Sequence, residues 1–279
     1  MLRKLKSYAW IGAVTASSRA KRMLMGRHVE ALLVNTSNGQ FLVDVEDQVV
    51  GRRLAYRGDY APDELARLTD AVNETSNVLV VGTHIGSHAI AIARHCARLT
   101  AIEANPKTFR LLQLNLLING CTNVSAINIA ASDKNEEIRF VMNRANSGGS
   151  KRAPAVKEFA YYYDSPEVVS VPAVPLDELL TGQHFDTIVM DIEGSEYFAL
   201  RGMPAILASA NVLFVEFIPH HLRNVSCVGV AEFVATISPY FANLLIPSKQ
   251  RHVTREGFAR ELQAMYDADE SDDGLRFSK

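Results

Sequence analysis

The stretch from residue 77 to residue 103, NVLVVGTHIGSHAIAIARHCARLTAIE, constrains the fold more than any other part of the chain. An apolar run ends at Gly82, a short turn reaches Gly86, and a helical pattern leads to a second apolar run that ends on Glu103. This pattern predicts a strand, a tight glycine turn, a helix and a second strand. Ligands of parallel sheets bind beyond the carboxyl ends of the strands, where an acid can accept hydrogen bonds from both hydroxyls of a ribose. We therefore expect a site for a nucleoside-bearing cofactor.

The spacing of the glycine turn indicates which cofactor this is. A pyrophosphate-binding turn has the pattern G-x-G-x-x-G, because the backbone must approach the phosphates closely. Here the turn is Gly82-Thr83-His84-Ile85-Gly86, and His84 stands where the middle glycine would be. The turn disfavours NAD and FAD and suits S-adenosylmethionine, which has a ribose and an adenine but no phosphate. A glycine turn that merely connects a strand to a helix is the alternative.

Strand and helix patterns then alternate along the chain. Strands are predicted at 78–82, 99–103, 124–129, 138–142, 168–172, 186–191, 212–217 and 241–246, and helices at 86–96, 106–118, 196–208, 228–237 and 254–266. Such alternation predicts an α/β fold with a mostly parallel sheet and helices on both faces. Residues 143–167, rich in Gly, Ser and Pro and then in Tyr, interrupt the rhythm and are interpreted as a flexible lid.

Three regions follow from these patterns. Residues 1–75 are predicted to be an appendage with a basic helix, a β-hairpin around Asn38-Gly39 and a second helix. Residues 76–266 are expected to form the catalytic domain, and the acidic residues 267–279 a flexible tail. The first 27 residues hold seven basic residues and no acid. A signal peptide is one interpretation; an amphipathic helix that packs on the domain, on another subunit or on an anionic membrane surface is preferred.

Composition excludes several classes of function. The net charge of −2 offers no overall basic surface for nucleic acid. The cysteines, Cys96, Cys121 and Cys227, are scattered, which fits a reducing compartment and no zinc site. No apolar run is long enough for a membrane-spanning helix, so we expect a cytoplasmic protein. His84 and His88 lack a third ligand nearby, and no metal is predicted.

Titratable residues lie at the carboxyl ends of two further apolar strands. Asp191 ends the strand at 186–191, with Glu193 just beyond it, and a carboxylate at this edge could act as a base or orient an amino group. Helix capping is the alternative and accounts for the nearby Glu196. His220 and His221 follow the strand at 212–217 and are candidate bases, although paired histidines are also common in loops.

Five separated motifs together resemble the FkbM-type methyltransferases. They are VLVVGTHIGSHAI, IEANPKTFRLLQLNLLINGCTNVSAINIAASD, NSGGS, VPLDELL, and MDIEGSEYFALRGM followed by VEF, between about residues 77 and 218. The resemblance implies the class I, Rossmann-like methyltransferase fold, here preceded by a small helix and a hairpin. It also implies methylation of hydroxyl groups on polyketides, glycans and other natural products.

The resemblance assigns residues one by one. The cofactor would contact the glycine turn, the acidic strand end, the stretch near the adenine and the D-x-E-G motif: Gly82, Thr83, His84, Gly86, Glu103, Ala104, Asn105, Ala131, Ser132, Asp133 and Asp191. Asp191 and Glu193 match the acidic motif beside the methyl donor, and with His220 and His221, chosen for their position beyond the strand end, they are the candidate catalytic residues. Val80 stands where the family usually has an acid, and His84 where it usually has asparagine.

We therefore expect an S-adenosylmethionine-dependent O-methyltransferase that acts on a small-molecule or glycan acceptor. A non-catalytic binding or scaffold subunit with the same fold is the alternative, and Val80 is the feature that favours it. Peripheral membrane contact through residues 1–27 and a homo-oligomer also remain open, whereas no nucleic-acid partner is expected.

Overall fold

The computed structural model describes residues 2–279, with side chains from residue 9 onward. The strands are β1 Ala31–Thr36, β2 Gly39–Asp44, β3 Asn77–Val81, β4 Arg98–Glu103, β5 Val124–Asn128, β6 Ala130–Ala131, β7 Glu136–Met142, β8 Lys151–Arg152, β9 Glu167–Val174, β10 Thr187–Met190, β11 Val212–Phe217, β12 Asn243–Ile246, β13 Arg251–Thr254 and β14 Asp272–Ser278. The helices are α1 Leu2–Met25, α2 Val50–Arg57, α3 Pro62–Asp70, α4 Ala89–Ala93, α5 Pro106–Ile118, α6 Leu176–Leu179, α7 Glu196–Arg201, α8 Pro204–Ser209, α9 Pro219–His221, α10 Val230–Ile237 and α11 Phe258–Asp267.

The main sheet confirms the predicted mostly parallel α/β fold. Its eight strands have the order β13-β12-β14-β11-β10-β3-β4-β5, and the five from β11 to β5 run parallel. From β3 the chain adds β4 and β5 on one side and later β10 and β11 on the other. The strand order therefore reverses between β3 and β10, and a crevice opens at the carboxyl ends of the strands there.

Both faces of the sheet are apolar, as a doubly covered parallel sheet requires. Leu79 and Ile188 point into one buried cluster, and Val80 and Val189, one residue further along their strands, point into the other. The alternation explains why these strands are continuous apolar runs. A smaller sheet, β6-β9-β7-β8, lies beside the main one.

The prediction of a flexible acidic tail was wrong. Residues 272–278 form β14, which lies antiparallel between β11 and β12. Leu275 and Phe277 are completely buried, and the ring of Phe277 packs against those of Phe241 and Phe258. The alternation of apolar and polar residues in this strand is short and follows several acidic residues, so the local sequence predicts an exposed tail.

The predicted hairpin of β1 and β2 is confirmed, with Thr36 paired to Gly39 across the turn. Phe41 and Val43 point into the core. The backbone of Leu42 is bonded by the amide of Asn115 on α5, which accepts from Leu42 N at 2.6 Å and donates to Leu42 O at 3.2 Å. The amide side chain thus takes the place of a neighbouring strand along this edge.

Other boundaries differ from the predicted ones for local reasons. The predicted helix 196–208 is two helices, α7 and α8, separated at Gly202 and Met203. Gly202 lies so close to the carbonyl oxygen of Ser132 that a Cβ would be 1.9 Å from it, and Pro204 starts the next helix. The predicted helix 86–96 is shortened to α4.

The N-terminal helix α1 packs on the domain along one face. Ile11 and Val14 are buried, and Arg22 forms an ion pair with Glu46 at 3.0 Å. None of the described helices combines the length and apolar character needed to cross a membrane.

Candidate functional site

A cavity of about 170 Å³ lies at the carboxyl ends of β3, β4 and β10, where the strand order reverses. Gly82, Glu103 and Asp191 line it from the sheet, and Tyr60 and Glu64 line it from the N-terminal region. The expected division at residue 75 therefore runs through the site, because α2 and α3 form one of its walls. Among the described residues, none before Val49 lines the cavity.

The first turn of the site is shaped by a close approach of two backbones. A Cβ on Gly82, whose φ is +88°, would lie 1.7 Å from the carbonyl oxygen of Asp191, so only glycine fits. His84 also has a left-handed backbone, with φ of +53°, a conformation that non-glycine residues seldom adopt. Its ring Nε2 lies 2.7 Å from Ser147 Oγ. His84 and Thr83, both predicted to bind the cofactor, line the cavity.

Glu103 is fixed by three donors of the protein. Its carboxylate accepts from His84 N at 2.6 Å, Asn105 N at 2.8 Å and Thr108 Oγ1 at 2.9 Å, and only 7% of the residue is exposed. A carboxylate has about four acceptor positions, so this one is oriented and still has capacity for a ligand. Glu103 lines the cavity at the end of β4, and its binding to a ribose stays a prediction.

Asp191 lies at the opposite side of the cavity. Its side chain is accessible from the cavity, and no donor among the described residues lies within hydrogen-bonding distance of its carboxylate. Surrounding protein desolvates the group, and the carboxylates of Glu193 and Glu196 add repulsion, so the pKa of Asp191 is raised well above its usual value. An unpaired acid of this kind is suited to bind a cationic group or to accept a proton.

The turn after Asp191 is held by Glu196. This buried carboxylate accepts from Ile192 N and Gly194 N, each at 2.9 Å, so it caps the turn as the alternative interpretation proposed. Burial raises the pKa of Glu196 to about 7, although these hydrogen bonds oppose the rise. Glu193 lies in the turn between Asp191 and Glu196. It has a left-handed backbone with φ of +56° and faces the cavity.

Lys151 is a site residue that the sequence did not indicate. Its Nζ donates to Glu193 Oε2 at 3.0 Å, lies 3.3 Å from His221 Nε2, and is 5.5 Å from the centre of the Tyr161 ring. It is 5% exposed, so this is a buried positive charge. Glu193, Glu216 and His221 bring possible metal-ligand atoms within 4.8 Å of one another. The ammonium of Lys151 already supplies a cation to these residues.

The two histidines predicted to be bases lie beside the cavity and not in its lining. His221 is buried, its Nδ1 is 3.4 Å from Glu193 Oε2, and burial and the Lys151 ammonium lower the pKa of its ring. His220 is exposed, with its ring 6.3 Å from that of Tyr161. His221 therefore contacts Glu193 and Lys151, and neither histidine is part of the cavity wall.

The segment interpreted as a flexible lid is anchored to the domain. Asp164 is buried and accepts from Arg144 N at 2.6 Å and Ala145 N at 2.8 Å. Asp47, before α2, accepts from both the backbone N and the hydroxyl of Ser147. Residues 146–148 thereby form a fixed wall of the cavity.

Four predicted cofactor residues are placed outside the lining. Gly86 packs against Leu112, and Asn105 caps α5 through Lys107 N at 3.0 Å. Ala131 lines the cavity with Ala104 and pairs with Val174 of β9, and the next two residues lie outside the lining. Two residues there bind other side chains: Ser132 contacts Glu136 and Arg152, and Asp133 forms an ion pair with Arg201.

Comparison with known proteins identifies the domain. The model of the FkbM methyltransferase domain matches residues 81–244, more than half of the chain. The chain belongs to the FkbM methyltransferase family. The resemblance seen in the sequence is thus confirmed, and the expected methyltransferase fold with it. No curated protein sequence matches this chain.

Three solved structures illustrate the comparison of chain traces. The FkbM methyltransferase from Methylobacillus flagellatus KT is 16% identical, with a TM-score of 0.43 and coverage of 74% of this chain and 44% of that one. Trm5b from Pyrococcus abyssi is 12% identical, with a TM-score of 0.44 and coverage of 91% and 57%. TYW2 from M. jannaschii, in complex with AdoMet, is 14% identical, with a TM-score of 0.38 and coverage of 67% and 62%. The chain spans about half of the length of these structures.

The FkbM family model covers some residues of the site and not others. Glu103, Lys151, Asp191 and Glu193 lie within residues 81–244, whereas the cavity wall formed by α2 and α3 precedes the match. That wall is therefore a feature of this chain that the family model does not describe.

Proposed function

We propose that this FkbM domain transfers the methyl group of S-adenosylmethionine to a hydroxyl group of a natural product or glycan. The observation that carries the proposal is Glu103, which is held by three hydrogen bonds and faces the cavity at the end of β4. A carboxylate fixed in this way can accept a hydrogen bond from a ribose hydroxyl at its remaining acceptor position.

The residues present fit this cofactor. The Gly82 turn leaves no room for a side chain and has no spacing for a pyrophosphate, and Ala130 and Ala131 offer a small apolar surface for a flat ring. Asp191 has a carboxylate without a protein partner, which suits a positively charged ligand. S-adenosylmethionine, when bound, supplies an electrophilic methyl group on a sulfonium.

Two other acids of the site, Asp191 and Glu193, have different roles toward the methyl acceptor. Asp191 is the proton acceptor, because it lines the cavity and its carboxylate has no donor among the described residues. Glu193, held by Lys151, accepts a hydrogen bond from the acceptor and orients it. Most of the rate enhancement then comes from positioning.

The experiment measures binding and transfer separately. Calorimetry of the intact protein with S-adenosylmethionine should show binding, and NAD should show none. Incubation with labelled S-adenosylmethionine and a panel of hydroxyl- and amine-bearing acceptors, followed by mass spectrometry, identifies the acceptor class. Absence of S-adenosylmethionine binding contradicts the proposal.

A non-catalytic binding subunit is the second candidate, and Val80 supports it. Val80 gives the cavity an apolar wall at the position where the first strand of FkbM methyltransferases usually has an acid. Cofactor binding without transfer to any acceptor of the panel would favour this candidate.

A further inference from the structure

Glu64 is an acidic residue of the cavity that lies outside the family match. It belongs to α3, which begins at Pro62, and its side chain is 20% exposed. The cavity lining places it with Tyr60 and His88, beside the apolar wall of Val80. No feature of the sequence indicated that this helix would reach the site.

Glu64 has no charged or hydrogen-bonded partner that would occupy it. Among the described residues no donor bonds to its carboxylate, and the nearest basic atom is His88 Nδ1 at 3.9 Å. Burial lowers the pKa of His88 to about 4, so this ring is uncharged near neutral pH. Arg67, one turn further along α3, favours the negative charge of Glu64 and lowers its pKa, but the two form no ion pair.

The surroundings of Glu64 are acidic. Burial raises the pKa of Glu64 to about 7, and the carboxylates of Asp273 and Asp272 add to the rise. Glu64 in turn contributes to the raised pKa of Asp191, so the two cavity acids repel each other. A cation bound between or beside them would relieve this repulsion, and no lysine or arginine among the described residues forms an ion pair with either acid.

We infer that Glu64 binds the α-ammonium group of the methionine moiety of S-adenosylmethionine. This inference rests on the proposed function and assigns the part of the cofactor that Glu103 does not hold. The ribose lies with Glu103, and the amino-acid end meets the wall that α3 adds to the family domain. Glu64 is accordingly a binding residue that distinguishes ligands with an amino group from ligands without one.

Three ligands that differ in their positive charges test whether Glu64 binds the ammonium group. S-adenosylmethionine has the ammonium and the sulfonium, S-adenosylhomocysteine has only the ammonium, and 5′-methylthioadenosine has neither. Calorimetry compares their affinities for wild type, for Glu64→Gln and for Asp63→Asn. The last variant removes an exposed acid of the same helix and serves as the matched control.

In Glu64→Gln the first two ligands should bind about tenfold to a hundredfold more weakly, as expected for one lost charge-assisted hydrogen bond. Binding of 5′-methylthioadenosine should change less than about twofold, because it lacks the group that Glu64 binds. Asp63→Asn should leave all three affinities unchanged. The retained affinity for 5′-methylthioadenosine also shows that the Glu64 variant is folded.

Two results would overturn the inference. One is an equal weakening of all three ligands, or of none, in Glu64→Gln. The other is a weakening of S-adenosylmethionine alone, which would place Glu64 at the sulfonium. If wild type binds none of the three ligands, the proposed function itself is wrong, and that outcome is recognised before any variant is made.

Discussion

Replacement of Glu103 by alanine should reduce both the stability of the protein and its affinity for the cofactor. The substitution leaves three donors without their acceptor: His84 N, Asn105 N and Thr108 Oγ1. A buried donor without a partner costs about 1–3 kcal/mol, and cavity water can reach some of these atoms. We therefore expect the free energy of unfolding to fall by about 2–4 kcal/mol.

The binding loss is a separate effect of the same change. Ribose hydroxyls lose their charged acceptor, which should cost about 1.5–3 kcal/mol of binding free energy, or roughly tenfold to more than a hundredfold in affinity. Release of His84 N also frees the turn at Gly82, so the loss should lie toward the upper end.

Urea denaturation and calorimetry with S-adenosylmethionine measure the two effects. Glu167→Ala is the control, because it removes an exposed carboxylate whose ion pair with Lys107 contributes little to stability. Wild-type stability in Glu103→Ala would show that the three hydrogen bonds do not hold the turn. Unchanged affinity in a folded variant would remove the basis for the proposed cofactor.

Three further predictions concern other parts of the molecule. Asp191→Asn should lower turnover about 100-fold or more, because it removes the proton acceptor. If EDTA leaves the turnover of the unmodified protein unchanged, Asp191 acts as a base and not as a metal ligand. A variant as active as the unmodified protein would refute both roles. Deletion of residues 1–27 should leave cofactor affinity within about threefold, since the cavity lining begins at Val49, and unchanged oligomer size and vesicle binding would refute the membrane interpretation. The pKa of Glu64 is about 7 in the folded protein, above the ordinary 4.5. Proton binding at Glu64 therefore stabilises the folded state at low pH, and this contribution is lost as the pH rises to about 7. Glu64→Gln should thus gain up to about 2–3 kcal/mol relative to wild type between pH of about 5 and 8, and parallel pH profiles in urea denaturation would contradict this.

The central unit of the site could be predicted because its signals are local. The run from Asn77 to Glu103 contains its own strands, its glycine turn and its terminal acid, and the structure has these elements within a few residues of the predicted bounds. Asp191 was found in the same way, as a charge that ends an apolar strand. Parallel strands bring their carboxyl ends together, so these residues had to meet at one edge.

Residues that join the site from distant parts of the chain could not be predicted in this way. Glu64 lies on the polar-looking first turn of α3, and Lys151 follows a stretch of glycine and serine, so neither breaks a local pattern. Their roles depend on which helix packs beside β3 and on which strand pairs with β7. Those choices are made by burial of apolar surface across the whole domain.

The C-terminal strand and the histidines show the same division. The sequence by itself determined the alternation of strands and helices, the glycine turn and the acids at the strand ends, because each follows from periodicity or from backbone conformation at one place. Only the tertiary structure decided that Leu275 and Phe277 complete the sheet, that His221 supports Lys151 and Glu193, and that Glu64 enters the cavity. These outcomes depend on desolvation and on contacts between residues far apart in the chain, which no local pattern encodes.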